Sequence, residues 1–583
     1  VSALALVLLA SFLWPFAARG AGFPLGPDAP VYLWWSRLAG AEGLSAVALR
    51  PGAPALSLVL EGTLAMSVVQ ATAALEVVLG VAVGLSSAAL VRRRGGAVGS
   101  ALAGLLAGTF AVHLAAGYVA NLITAAAFLA AGALLDDPRR RAAVLAAVVL
   151  AGGGLAHPQF LLLCVAILLV AAALAWRSDR REAFRIAGTA GGAAALGMAL
   201  LAVRPGAPPL EVDTSKDAFL RRVGLTSELR NAYLDRFVHR WTRYVEWVSV
   251  PLAAIGFTAP NGNAGRILRS WFVLTFMGVA LALVTGWLPA DRFVTFGFAI
   301  PILAALGLVR LWRRLEQRRA LAVVVTATLT ITMLAGSAIA WNRQEPFISE
   351  DEARALVLAN EAVSRLQPGT PLAFLVNEPD DTVSFLATRA GNVIRAGVPP
   401  DRIRDVVVVV PPLDAGTGSG ERDALERVTA RDLAAAEDRA GRSAAVIVLT
   451  PFDEVDRPSD AIQVGSLVTG DPRGVDPLEP ASAAHIAWAA IATLALLWVA
   501  GYGWARIGLA DTITAAAAAP AIGAAMLILV ATALDALGVP LGRATGALAA
   551  SALAGGGGYL IRFLLERRAG SGATPQVEEQ PAE

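Results

Sequence analysis

Asp28 is the first residue in the chain whose type and setting suggest chemistry. It stands in "GPDAPVYLWWSRL", residues 26–38, directly after an apolar run that begins at Val1. Pro27 and Pro30 box it in, and Tyr32, Trp34 and Trp35 follow. A helix that needs only to end does so with Gly and Ser. A carboxylate held at the mouth of an apolar helix is instead a candidate proton acceptor.

Glu76 comes second, midway through the second long apolar run. An ionisable side chain within a membrane segment is costly and points to function. A helix that starts later in the sequence would equally leave Glu76 at the outer interface or paired with an arginine. Three short turns carry the remaining polar groups: His113, Tyr118 and Asn121 in one, His157 and Gln159 of "GGGLAHPQF" in the next, and Asp291 and Arg292 of "WLPADRF" in a third. Each alone suits a structural residue at a helix end. Jointly they suggest a site, provided the elements that carry them bring them to one place.

Those elements are membrane helices. Of the 583 residues 56% are hydrophobic and 16% charged, where soluble proteins carry about a quarter charged residues. Hydropathy places fourteen spans at 1–18, 66–91, 97–116, 119–135, 142–157, 160–176, 186–203, 244–259, 271–288, 293–312, 320–341, 485–505, 512–534 and 545–565, each near the length a bilayer requires. The first run lacks a basic leader and a small-x-small cleavage site, so it reads as a retained helix.

Arginine clusters set the orientation, because short cytoplasmic loops are enriched in them. They lie at 92–94, 139–141, 177–181, 266–269, 313–319 and 567–568. With both termini inside, all six fall on the cytoplasmic side. Asp28, His113, His157 and Arg292 then share one depth on the outer face. A net charge of +2, with basic residues dispersed between apolar runs, gives no footprint for nucleic acid. Lys216 is the only lysine, which reads as the coding bias of a GC-rich, bacterial genome. Cys164, the only cysteine, lies in an apolar run and suits a buried thiol.

The block at 342–484 differs in kind. Ser349 and Glu352 have capping-box spacing. "PLAFLV", "DVVVVV" and "AAVIVL" are short apolar runs separated by helical patterns at 382–395 and 421–440. Unbroken β-branched strands alternating with helices predict a small parallel sheet covered on both faces, in an extracytoplasmic α/β domain. The strands end in "NEPDD" (377–381), "PPLD" (411–414) and "TPFDE" (450–454). Asp380, Asp381 and Asp414 there either meet a ligand or cap helices. The expected organisation is a transmembrane core at 1–341 with outer loops at 19–65 and 204–243, the α/β domain at 342–484, three further helices within 485–566 and a disordered cytoplasmic tail at 567–583. The loop at 204–243 is rich in Arg, Tyr and Trp. It suits either plain interfacial anchoring or a guanidinium surface for a lipid phosphate.

The order of these features resembles the GT-C superfamily of integral-membrane glycosyltransferases. The resemblance is carried by Asp28 after the first span, "RPGAPALSLVLEG" leading into the second, "LAHPQF", "DRFVTFGFAIPILAALGL" and the appended α/β domain, and it covers residues 1–341 diffusely. It implies a GT-C-like core in the plasma membrane and an inverting transfer on the extracytoplasmic side. The donor would be a polyprenyl-phosphate-linked sugar and the acceptor a glycan, lipid or protein. Asp28 would be the general base, and Arg292 would stabilise the departing phosphate with His157 near either group. His113, Tyr118, Asn121 and Glu76 complete the candidate lipid-phosphate or substrate site. No acidic neighbour adjoins Asp28 and no outer DxD occurs, so neither a metal nor another cofactor is expected. Two other classes fit the same composition: a transporter or flippase of envelope lipid, and a non-catalytic membrane scaffold whose outer domain binds a partner.

Overall fold

The computed structural model describes residues 1–26, 28–47, 50–115, 117–203, 248–285, 290–348 and 478–570. Between 349 and 477 it describes the stretches 372–376, 392–398, 406–409, 445–449 and 462–464 and a few single residues. The loop at 204–243, the capping-box pair Ser349 and Glu352, the three strand-end motifs, most of the two helical patterns of 342–484 and the last thirteen residues of the tail lie outside them.

The chain is a multi-pass helical membrane protein. Helix α1 (Ser2–Arg19) ends at Gly20, whose φ of +66° turns the backbone out of the helix. Two shorter helices follow, α2 (Ala29–Glu42) and α3 (Gly52–Leu64). Next come α4 (Val68–Ala115), α5 (Val119–Asp136), α6 (Arg140–Gly154), α7 (Pro158–Trp176) and α8 (Arg180–Ala202). Helices α9 (Ser249–Gly256), α10 (Gly262–Thr285), α11 (Ala290–Thr295), α12 (Ala299–Arg314) and α13 (Arg319–Asn342) continue the bundle. After the strands, α14 (Ala483–Gly508), α15 (Thr512–Ala536) and α16 (Ala544–Gly570) close it.

Among the described residues ten helices are long and apolar enough to cross a membrane, against the fourteen segments that hydropathy marks. The segments 66–91 and 97–116 are both present, as two helical arms that together make up α4 and are separated at Gly96, where the backbone leaves helical geometry (φ 65°, ψ −166°). Its two arms fold back on each other, so that the Ser100 hydroxyl donates to the Ala88 carbonyl at 2.8 Å. Helix α6 has 15 residues and ends in the Gly152–Gly154 run, and the 244–259 segment lies partly outside the described residues, which contain the eight-residue α9. The 293–312 segment breaks between α11 and α12, where the indole N–H of Trp271 donates to the Phe296 carbonyl at 2.8 Å. A backbone carbonyl freed inside a membrane needs such a partner. Hydropathy averages side chains and registers none of these backbone events.

One end of the bundle gathers arginines. Arg93 donates to the Asp136 carbonyl, Arg185 to the carbonyls of Asp137 and Leu135, and Arg266 to the Ser178 hydroxyl at 3.0 Å. Asp137 in turn accepts from the Ala510 N–H at 3.2 Å. The clusters at 92–94, 139–141, 177–181 and 266–269 thus meet at a single end, as a shared membrane face requires.

In the 342–484 block, strands β1 (Leu372–Val376), β2 (Val406–Val409), β3 (Ala445–Leu449) and β4 (Ile462–Val464) form a parallel sheet in the order β2-β1-β3-β4. The first three coincide with the apolar runs. The fourth is three residues long, too short for an apolar pattern to mark it.

Candidate functional site

The opposite end of the bundle from the arginines is assembled around the loop between α1 and α2. Asp28 is the N-cap of α2, where a negative charge is favoured by the helix dipole, and it is partly buried. Pro30 lies in the first turn, where the helix has no use for its missing N–H. The α4–α5 turn lies directly against Asp28. A Cβ placed on Gly117 would stand 2.9 Å from the Asp28 nitrogen and 3.0 Å from its Cβ.

Tyr118 is the N-cap of α5, and the Ala120 N–H donates to the Tyr32 hydroxyl at 3.3 Å. That bond ties α2 to the first turn of α5. Asn121 follows, 1% exposed, with its amide nitrogen buried and without a hydrogen-bond partner among the described residues. One turn further, the Thr124 hydroxyl donates to the Gly153 carbonyl at 2.9 Å, joining α5 to the approach to His157.

Glu76 lies in the first arm of α4 and is fully buried. Its Oε2 accepts from the Leu25 N–H at 2.9 Å, while Oε1 is buried without a hydrogen-bond partner among the described residues. Glu76 is therefore buried against the backbone of the α1–α2 loop and, among the described residues, not against an arginine. It contacts the loop that carries Asp28, because the chain after α1 folds back toward the bundle. Leaving the Leu25 N–H unpaired at such a depth would cost about 1–3 kcal/mol.

His157 is 2% exposed and caps α7, its Nδ1 accepting from the Phe160 N–H at 3.4 Å. Its ring centroid is 4.3 Å from that of Phe160, which stacks on Phe296 at 4.5 Å. This stack leads to the segment of Arg292, since Phe296 directly follows α11. The side chains of Arg292 and His113 lie outside the described residues, although both residues are helical. The structure thus sets Asp28 against the turn that precedes Tyr118 and Asn121, seats Glu76 on Leu25 of the loop before Asp28, and ties the approach to His157 to α5 through Gly153 and to the N-terminus of α3. There the Gly52 N–H donates to the Leu155 carbonyl at 3.1 Å.

Three further residues of this end stand outside the candidate set. Tyr32, among the aromatics that follow Asp28, is one. Arg37, nearly buried, donates to the carbonyls of Ala396 at 2.7 Å and Val398 at 3.4 Å, linking α2 to the 342–484 block. Glu61 accepts from the Ser57 hydroxyl at 2.9 Å. Burial pushes its carboxyl up to about 7, against the opposing effects of Ser57 and Arg37. A signal for Glu61 does exist: a carboxylate closing the apolar run "PALSLVLE", with Ser57 one helical turn before it. Among the described residues no three His, Cys, Asp or Glu side chains group as metal ligands.

No family model matches the chain, and no curated protein does. A functional reading must therefore rest on the residues of the site.

Proposed function

We propose that this chain is a membrane glycosyltransferase of GT-C type, which moves a sugar from a polyprenyl-phosphate donor to an envelope glycan, lipid or protein acceptor. The observation that carries this reading is the mounting of Asp28. A carboxylate is fixed at a helix N-terminus, against the glycine turn of α4–α5, at the end of the bundle opposite the arginines. With the arginine end cytoplasmic, by the positive-inside rule, both termini are cytoplasmic. Asp28 and the 342–484 α/β domain then face the exterior of a bacterial plasma membrane.

In the reaction the acceptor hydroxyl oxygen attacks the anomeric carbon from the face opposite the lipid phosphate. Asp28 takes the hydroxyl proton as the new C–O bond forms. The bond from the anomeric carbon to the phosphate oxygen breaks, and its electron pair leaves with the phosphate. The configuration inverts. Arg292 supplies charge stabilisation to the departing phosphate. Tyr118 and Asn121 begin the helix that follows the turn against Asp28, and the Asn121 amide nitrogen, without a hydrogen-bond partner among the described residues, suits donation to a sugar hydroxyl. His113, in the second arm of α4, is assigned to the same site, and His157 holds its own turn in place by capping α7.

The test is glycan analysis of the envelope of a deletion strain, with complementation by the parent and by Asp28→Asn. Loss of a glycan that the parent restores and Asp28→Asn does not is the expected result. Restoration by Asp28→Asn, with normal expression, removes the assigned base. The break between α11 and α12 favours one second reading, a lipid transporter, since transporters bind substrate at broken helices. Lipid movement by proteoliposomes without sugar transfer would establish it.

A further inference from the structure

The loop from Gly20 to Asp28 is held from two directions. From the 342–484 side, the Gly26 N–H donates to the Glu345 carbonyl at 2.8 Å, the Phe347 N–H to the Pro24 carbonyl at 3.0 Å and the Ala481 N–H to the Gly22 carbonyl at 2.7 Å. Leu25 forms an isolated antiparallel bridge with Pro346, and the Phe23 and Phe347 rings meet edge to face at 5.8 Å. Both the entry and the exit of that block thus grip the loop. From the membrane core, the described side-chain anchor is Glu76 through the Leu25 N–H.

A glutamate is an expensive way to satisfy one backbone N–H within an apolar bundle. A backbone N–H buried at that depth nevertheless requires an acceptor, and the α4 backbone is occupied by its own helix. A long side chain with a terminal oxygen meets that need. Leu25 precedes Asp28 by three residues, and Gly26 between them takes a φ of +82°. The height of Leu25 against α4 therefore sets where Asp28 enters α2.

We propose that Glu76 is a positioning residue: by accepting the Leu25 N–H it fixes the depth and orientation of the loop on which Asp28 is mounted. This deepens the glycosyltransferase reading and rests on it for the purpose of the positioning, but the contact and its consequence are testable without turnover. The assignment places Glu76 behind the loop rather than against a substrate.

The experiment uses the full chain in lipid nanodiscs. Hydrogen–deuterium exchange is followed in peptides covering residues 20–28, with α5 and α15 as internal references. In a second arm, Asp28→Cys in a Cys164→Ala background presents a single thiol, whose rate of maleimide labelling reports the setting of position 28. Glu76→Leu is expected to speed exchange of the loop at least tenfold and to change the labelling rate severalfold, with the references unaltered. Glu76→Gln keeps a carbonyl acceptor at the same reach and is expected to restore both readouts to within about twofold of the parent.

Unchanged loop protection in Glu76→Leu overturns the proposal, as does a Glu76→Gln variant as perturbed as the leucine. Should Glu76→Leu not fold, Leu25→Pro removes the donor and leaves Glu76 in place. Faster loop exchange is again expected, and parental exchange overturns the proposal. Asp28→Asn is expected to keep parental loop protection. Absence of sugar transfer from every form would thus defeat the glycosyltransferase reading while leaving the Glu76 assignment to stand or fall on exchange alone.

Discussion

Gly117 packs so closely on Asp28 that a Cβ at 117 would stand 2.9 Å from the Asp28 nitrogen, and Gly117 holds a φ of +98°. Any side chain at 117 meets both a left-handed backbone conformation and the Asp28 N-cap. Neither can yield without moving the start of α2. Gly117→Ala is expected to cost about 1–3 kcal/mol of stability and to lower sugar transfer at least tenfold at constant expression. Thermal unfolding in nanodiscs and envelope glycan analysis measure the two effects. A parental result in both would show that the turn does not set the position of Asp28.

Glu61 predicts a pH response. Burial raises its carboxyl from 4.5 to about 7. Below about pH 4.5 the folded and unfolded chains both hold the proton, and the group costs nothing. Between about 4.5 and about 7 the unfolded chain releases its proton while the folded chain keeps it. Stability therefore falls as pH rises through this window and levels off above it. Glu61→Gln is expected to remove that component, so that variant and parent diverge progressively from about pH 4.5 to about pH 7 in thermal unfolding. Parallel curves for the two proteins would refute it.

Asp511 has the opposite sign. It caps α15, accepting from the Thr514 hydroxyl at 2.6 Å, the Thr514 N–H at 3.0 Å and the Ile513 N–H at 3.4 Å. These bonds, the Thr514 hydroxyl foremost, hold its carboxyl below the usual value of 3.8. The stabilisation is present above that value and is lost as pH falls through the lowered one. Asp511→Ala is expected to cost about 1 kcal/mol at neutral pH, and Asp511→Asn less. Chemical denaturation of the two variants provides the comparison.

Gly501 of α14 and Gly523 of α15 form a reciprocal contact. A Cβ on Gly501 would collide with the Ala519 carbonyl oxygen, and one on Gly523 with the Leu497 carbonyl oxygen. Small residues at such crossings let membrane helices approach closely. Gly501→Ala and Gly523→Ala are each expected to cost about 1–3 kcal/mol by overpacking. The double variant should cost less than the sum, because once the helices have parted the second methyl group finds room. Gly188→Ala, where nothing lies within 4 Å, serves as the control. Unfolding midpoints in detergent distinguish the crossing glycines from the control.

Much of the bundle was legible in the sequence, since the signals concerned are local. A run of apolar residues marks a helix whether or not its neighbours are known, as α1, α5, α7 and α15 show. The apolar runs at 371–376, 405–410 and 444–449 marked three strands in the same way. Two of the marked segments, 142–157 and 293–312, are not single long helices. The Gly152–Gly154 run and the Phe296–Phe298 break act through the backbone, which hydropathy does not weigh.

The candidate site divides along the same line. Asp28, Glu76, Tyr118 and Asn121 stood out by residue type alone, since polar groups are conspicuous in an apolar chain. His157 stood out equally, yet its described hydrogen bond caps α7 and its ring packs on Phe160.

By itself, the sequence determined that this chain enters a membrane many times, that its arginines favour one face, and that a carboxylate, Asp28, follows the first apolar run. Only the tertiary structure decided that Gly117 supports Asp28, that Glu76 takes the Leu25 N–H and that Arg37 reaches Ala396. The reason is physical. A buried N–H or carbonyl must find a partner somewhere, and its local sequence states the need without naming the residue that meets it.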